Sequence, residues 1–254
     1  MRHIPTLLRR ELAAYFLSPM AFLILLAFQV IAWLNFWELI SELSRRQQAI
    51  SVMRDPLSSY ISGSPPFWIA MLVAIPALTM RLFAEERRSG TIETLLTVPV
   101  TEAEIAISKW LAGVVMYLVL LLPFAIYLPF LYYQAKFHFD PGPLTTLAIG
   151  LTTVGMMFVS IGVFFSSLTK NQVIAAIWTF VVLFLLVVLT LLAFFYAAAE
   201  RLAWAEAIRF VAVFAQVQSF GSGQLDLRYV ALHLSVCAFM LFLTVKVLQM
   251  RRAR

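Results

Sequence analysis

Met80-Arg-Leu-Phe-Ala-Glu-Glu-Arg-Arg-Ser-Gly-Thr-Ile-Glu-Thr-Leu-Leu-Thr-Val-Pro-Val-Thr101 concentrates charge between two strongly apolar regions. Arg81, Glu85, Glu86, Arg87, Arg88 and Glu93 lie on it. It breaks at Ser89-Gly90, resumes as a short apolar turn from Ile92 to Thr97 and stops at Pro99. Gly90 suits the end of one helix, Thr91 the start of the next, and Glu93 lies where a carboxylate favours a helix N-terminus. The pattern is a helix, a break and a second short helix. Thr101 to Glu104 then reads as a capping box, so a third helix begins there and runs into the apolar segment beyond.

The surrounding chain makes this stretch an elbow at a membrane surface. Of 254 residues, 62% are hydrophobic and 13% charged, and the mean hydropathy is +0.90. Those values exclude an ordinary soluble domain and describe an all-α, multi-pass membrane protein. The formal charge of +6 does not point to nucleic acid, because the basic residues flank apolar spans and form no stripe interleaved with aromatics. Flanking lysines and arginines fit the positive-inside bias. Cys237 is the only cysteine, so neither an internal disulfide nor a cysteine-based metal site is available.

Six spans are predicted. Residues 1–19 form an amphipathic, interfacial helix, with Arg2, Arg9, Arg10 and Glu11 mixed among leucines and aromatics. No uninterrupted apolar core or small-residue cleavage site precedes Pro19, so no signal peptide is expected. Met20 to Trp37 is the first span, with Gln29 and Asn35 as its strongly polar interior residues. Glu38 to Pro66 is a polar connection. Phe67 to Met80 is short for a span and reaches spanning length if it runs on to Ala84 with Arg81 snorkelling to the surface. Ile105 to Tyr133 holds the third span, expected to kink at Pro123 and Pro129. Leu144 to Leu168 is the fourth, with Gly150, Gly155, Ser160 and Gly162 available for close helix contact. Val173 to Tyr196 is the fifth and Val230 to Leu248 the sixth. Between them, residues 197–229 are less regular; Trp204 to Ala215 is expected to be a short interfacial helix.

With six spans, both termini and the region 81–108 share one side, which carries 12 Lys and Arg against 7 opposite. That side is expected to be the cytoplasm. The whole chain, 1–254, reads as one transmembrane domain.

No phosphate-binding loop, zinc-protease helix or nucleophile-elbow motif occurs, and His3, His138 and His233 are too scattered for a metal site. The chain is therefore expected not to be an enzyme and to hold no cofactor, and any ATP chemistry must come from a partner. His233 near the start of the sixth span reads as a satisfied histidine rather than a proton relay.

Four stretches carry a family likeness: Glu11 to Pro19, Met80 to Val100, Ser167 to Gln172 and Gly223 to Arg228. Together they resemble ABC-2 type transporter permeases, most closely the gliding-motility type, over nearly the whole length. The resemblance implies a type V exporter-like permease fold in the bacterial inner membrane. It also implies dimers of six-span subunits and paired short extracytoplasmic helices before the sixth span. By the same likeness, Ile92 to Thr97 is a coupling helix docking on a separate ABC ATPase. Its ATPase-coupling residues are Glu85, Glu86, Arg87, Gly90, Thr91, Ile92, Glu93, Leu95, Leu96 and Pro99. Independently, a short apolar turn in a charged loop needs a protein groove or the bilayer interface to bury it.

The leading expectation is the membrane half of an exporter, partnered by an ATPase dimer and a second permease, homologous or identical. One alternative is a mechanotransmission subunit that passes ATPase motion to an extracytoplasmic or membrane accessory subunit. Another is an ATP-independent channel. No motif names a substrate.

Overall fold

The computed structural model describes residues 3–45, 64–91, 100–135, 141–195 and 210–252. Among them the chain is helical throughout, without strands. In chain order the helices are α1 (Ile4–Phe16), α2 (Pro19–Arg45), α3 (Pro65–Thr79), α4 (Arg81–Ser89) and α5 (Glu102–Ala135). They continue with α6 (Pro141–Leu168), α7 (Gln172–Phe195), α8 (Val213–Gly221) and α9 (Leu227–Arg252). Six stretches are long and apolar enough to cross a membrane. They correspond to α2, the α3–α4 pair, α5, α6, α7 and α9. The chain is an all-α, multi-pass membrane protein.

The spans divide into an inner and an outer set. The α3–α4 and α6 windows are each 72% buried inside the protein, against 17% for α7 and α9. Helix α6 packs against α3, α4, α5, α7, α8 and α9 and forms the axis of the bundle. In hydrocarbon, helices gain little from hiding apolar surface, so close packing must hold them. The glycines of α6 supply it. A methyl group at Gly155 would overlap the Tyr117 ring of α5, one at Gly162 would overlap Thr79, and one at Gly150 would overlap Phe220 of α8. The close contacts expected from these glycines are therefore made inside the subunit. Edge-to-face contacts of Phe28, Phe67 and Phe124 close the other side of α3, with ring centroids 5.3 to 6.5 Å apart.

One expectation is revised. Helix α2 continues past Trp37 to Arg45, so the first part of the expected polar connection is helical. Helix α5 is continuous through Pro123 and Pro129 to Ala135. Before the last span, Phe210 and Val211 are helical; Ala212 is extended (φ −67°, ψ 100°), and a separate helix runs from Val213 to Gly221. Of the predicted segment Trp204 to Ala215, residues 204–209 lie outside the described residues.

The chain alternates between two ends. Pro19, Ser89, Glu102, Leu168, Gln172 and Arg252 mark the end at which α1 packs on α5; this is the charged end. Both α1 and the last turn of α9 lie there.

Candidate functional site

The charged end is built around the junction of α3 and α4. Pro76 lacks an N–H and leaves the Leu72 carbonyl without its usual helical donor. One turn later the ladder is interrupted again, by a side chain from α6. Ser166 Oγ donates to the Met80 carbonyl at 2.9 Å and accepts from the N–H groups of Phe83 (3.0 Å) and Ala84 (3.2 Å). An inserted side chain of this kind is a recognised cause of a helix break. Helix α4 thus leaves α3 at Met80 while its first amides stay satisfied. Arg87 fastens the far end of α4 to α6, donating from Nη1 to the Ser167 carbonyl at 2.8 Å. Gly90 then ends α4 in the left-handed conformation, φ 75°. A helix end asks for that conformation, and glycine adopts it without strain.

Arg81, expected to snorkel to the surface, is half-buried at the charged end and meets Tyr15 of α1 and Ser18 in the turn after it. Its guanidinium lies 4.5 Å from the centre of the Tyr15 ring and hydrogen-bonds the Ser18 hydroxyl. Tyr15 donates its own hydroxyl to the Leu78 carbonyl at 2.7 Å. Burial raises the pKa of that hydroxyl, so it stays protonated and donating.

The densest charge cluster centres on Lys109 of α5, whose side chain is 1% exposed. Its Nζ lies 3.0 Å from Glu11 Oε2 of α1 and 2.9 Å from Glu86 Oε1 of α4. Arg10 completes the group at 2.8 Å from Glu11 and 3.3 Å from Glu86. Two cations and two carboxylates therefore tie α1, α4 and α5 together. A buried lysine is tolerable only with such pairing. Beside the cluster is a cavity of about 670 Å³ lined by Arg10, Tyr15, Arg81, Glu85, Ser89 and Thr91, among others. Glu86 Oε2 is buried there without a hydrogen-bond partner.

The start of α5 matches its sequence signature. Thr101 N donates to Glu104 Oε2 at 3.2 Å, and Glu104 N donates to Thr101 Oγ1 at 3.3 Å. That is a reciprocal capping box.

The predicted coupling residues are placed as follows. Glu85 is exposed on α4, Glu86 joins the Lys109 cluster, and Arg87 points the other way onto α6. Gly90 and Thr91 are exposed at the end of α4. Ile92, Glu93, Leu95, Leu96 and Pro99 lie outside the described residues, as does the expected helix Ile92 to Thr97. Sequence reasoning missed Lys109, Glu11 and Ser166. A single lysine inside a long apolar helix was a usable signal for the first; nothing local marks Ser166.

At the opposite end a neutral cluster joins α6, α8 and α9. His233 Nε2 lies 2.8 Å from Gln216 Oε1, and its Nδ1 lies 3.0 Å from Thr153 Oγ1. His233 is fully buried and hydrogen-bonded on both nitrogens. Among the described residues no group of three or more His, Cys, Asp or Glu is placed to hold a metal ion. The polar residues considered for a path separate likewise: Asn35 is buried and bonded to Ser64 and to the Ile31 carbonyl. Gln29 is exposed and donates to the Tyr127 hydroxyl.

Comparison with known proteins supports the same architecture. A family model described as ABC-2 family transporter protein matches residues 9–207, well over half of the chain. No curated protein matches it.

Proposed function

The chain belongs to the ABC-2 family of transporter proteins, and from that membership we propose that it is the membrane subunit of an ATP-driven exporter. In this reading it pairs with a second permease and is driven by a separate ABC ATPase that binds ATP and magnesium. The charged end is the cytoplasmic face, so both termini and the α4 elbow meet the ATPase. The 12-to-7 distribution of Lys and Arg supports that orientation.

The observation that carries the reading is the way α4 is mounted. It leaves the membrane-spanning part of α3 at a break wedged by Ser166, and it is tied sideways to α1 and α5 through Lys109. A push on the segment after Gly90 then reaches α4 first and is passed to three helices at once. The residues Ile92, Leu95 and Leu96 are the proposed anchors, spaced for one helical face. Burying each contributes roughly 1.5 to 3 kcal/mol, more than the 0 to 1 of an exposed ion pair such as Glu85 would form.

For the second permease, the reading uses the apolar groove of about 390 Å³ between α2, α3 and α7. Val73 of the inner helix α3, which lines it, and Ile69, one turn earlier, are exposed. A subunit seated on them would complete the enclosure of α3. The likeness to gliding-motility permeases supports a second reading, transmission of ATPase motion without transport, and ATP-driven uptake into reconstituted vesicles separates the two.

The test is co-purification of a tagged chain from its native membrane. An ABC ATPase is expected with the wild type, and Leu95→Asp or Leu96→Asp is expected to insert normally but lose it. Retention of a fully active ATPase by both variants would remove this loop as the docking element.

A further inference from the structure

We propose that the last turn of α6 at the charged end binds the phosphate of an anionic phospholipid, held by Arg87 and Arg251. Two arginines from different helices converge on the final carbonyls of α6. Arg87 of α4 takes Ser167 O at 2.8 Å, and Arg251 of α9 takes Leu168 O with Nη2 at 3.3 Å. Arg87 is only 8% exposed, and among the described residues no carboxylate pairs with it. A guanidinium offers five N–H donors, and one carbonyl leaves most of them unused. The charge of Arg251 acts repulsively on it besides.

The helices packed around Arg87 at this end add no acidic side chain to it. No Asp or Glu occurs between Asp140 and Glu200 or after Asp226, so α6, α7 and α9 carry none, while Lys170 and Arg252 add positive charge at the same end. A largely buried cation without an acidic partner is best balanced by an anion from outside.

The surface beside the site identifies the source of that anion. The three spans that meet here end at Ser89, Leu168 and Arg251, which sets the arginines at the level of lipid headgroups in the leaflet of the charged end. Leu168, Phe242 and Met250 are exposed. Lys246 lies over Phe242, its ammonium 5.4 Å from the ring centre, as a lysine does where apolar and aqueous surroundings meet. A phosphate approaching along this apolar surface brings acyl chains that cover it. A free phosphate or a protein carboxylate does not.

The test uses the full chain, with the subunits it retains, in nanodiscs of phosphatidylcholine with or without phosphatidylglycerol. Native mass reads bound lipid, and thermal unfolding reads its effect. Phosphatidylglycerol is expected to be retained and to raise the unfolding temperature, whereas inorganic phosphate added to phosphatidylcholine discs does neither. Arg251→Gln and Arg87→Gln are each expected to weaken retention about fivefold, the weight of one basic residue at an anionic surface. Arg228→Gln, at the opposite end and paired with Asp226, is expected to leave it unchanged. Arg251 is exposed in the last turn of α9, so its variant remains readable if Arg87→Gln does not insert. Undiminished retention in Arg251→Gln would overturn the proposal. So would equal stabilisation by inorganic phosphate, or loss from Arg251→Gln of an attached protein in place of the lipid.

Discussion

Lys109 and His233 each join three helical elements from a buried position, yet the two clusters are built on different chemistry. Around Lys109, two carboxylates and a second cation make an ionic group linking α1, α4 and α5. Around His233 the partners are a hydroxyl and an amide, linking α6, α8 and α9. Gln216 spends its amide nitrogen on the Phe210 carbonyl at 2.6 Å, so its oxygen faces the ring and accepts from Nε2–H. In a neutral ring Nδ1 then accepts from the Thr153 hydroxyl, whose one proton is shared with the Gly150 carbonyl at 3.0 Å, and the chain of bonds closes without charge. The ionic cluster lies on the elements that the coupling reading sets in motion. The neutral one fastens α8 into the opposite end of the bundle, where Phe220 also fits over Gly150. Ionic ties resist truncation of one partner strongly, because the remaining charge is stranded; neutral ties can be replaced by an isostere.

That contrast sets the order of expected effects. Lys109→Ala strands Glu11 and Glu86 with only the half-exposed Arg10, and it is expected to destabilise the protein by about 3 to 5 kcal/mol. Thermal or denaturant unfolding in detergent reads this directly. A loss under 1 kcal/mol would mean that the cluster is solvated and the comparison wrongly drawn. Ser166→Ala removes the group that satisfies two buried amides at the α3–α4 break, with an expected cost of about 1 to 3 kcal/mol. Hydrogen exchange at Phe83 and Ala84 should rise with it, and unchanged protection would show the break to be self-supporting.

The neutral cluster gives the most selective effect. His233→Leu is expected to cost about 1 to 3 kcal/mol by leaving the buried Gln216 Oε1 without its donor. His233→Gln, which can accept from Thr153 and donate to Gln216, is expected to recover most of that loss. Equal damage from both would mean that ring shape, not the pattern of donors and acceptors, holds α8.

The bounds of the elbow were more legible in sequence than the Lys109 cluster that ties it down. Charge between apolar runs located the elbow, Gly90 marked the end of α4, and the Thr101 to Glu104 spacing marked the start of α5, because each signal is local. The partners of Arg81 were not legible because the ring and hydroxyl that meet it, Tyr15 and Ser18, come from more than sixty residues earlier. Gly150, Gly155 and Gly162 announced close approach without naming the partner, and the partners are Phe220, Tyr117 and Thr79 of the same subunit. The separate helix α8 was not delimited in the sequence for a related reason: what holds it is burial against α6 and α7. Ser166 looks like any small polar residue of a membrane helix until the Met80 carbonyl is beside it.

The central claim is that the Lys109 to Glu86 tie links the α4 elbow to α5 and so transmits the partner ATPase's work. Exchanging the two charges tests it most directly, with ATP-driven activity of the reconstituted complex as the readout. Lys109→Glu and Glu86→Lys alone are each expected to abolish coupled activity, and the double exchange to restore a substantial part of it. A double variant as inactive as the singles, or single variants as active as the wild type, would contradict the account.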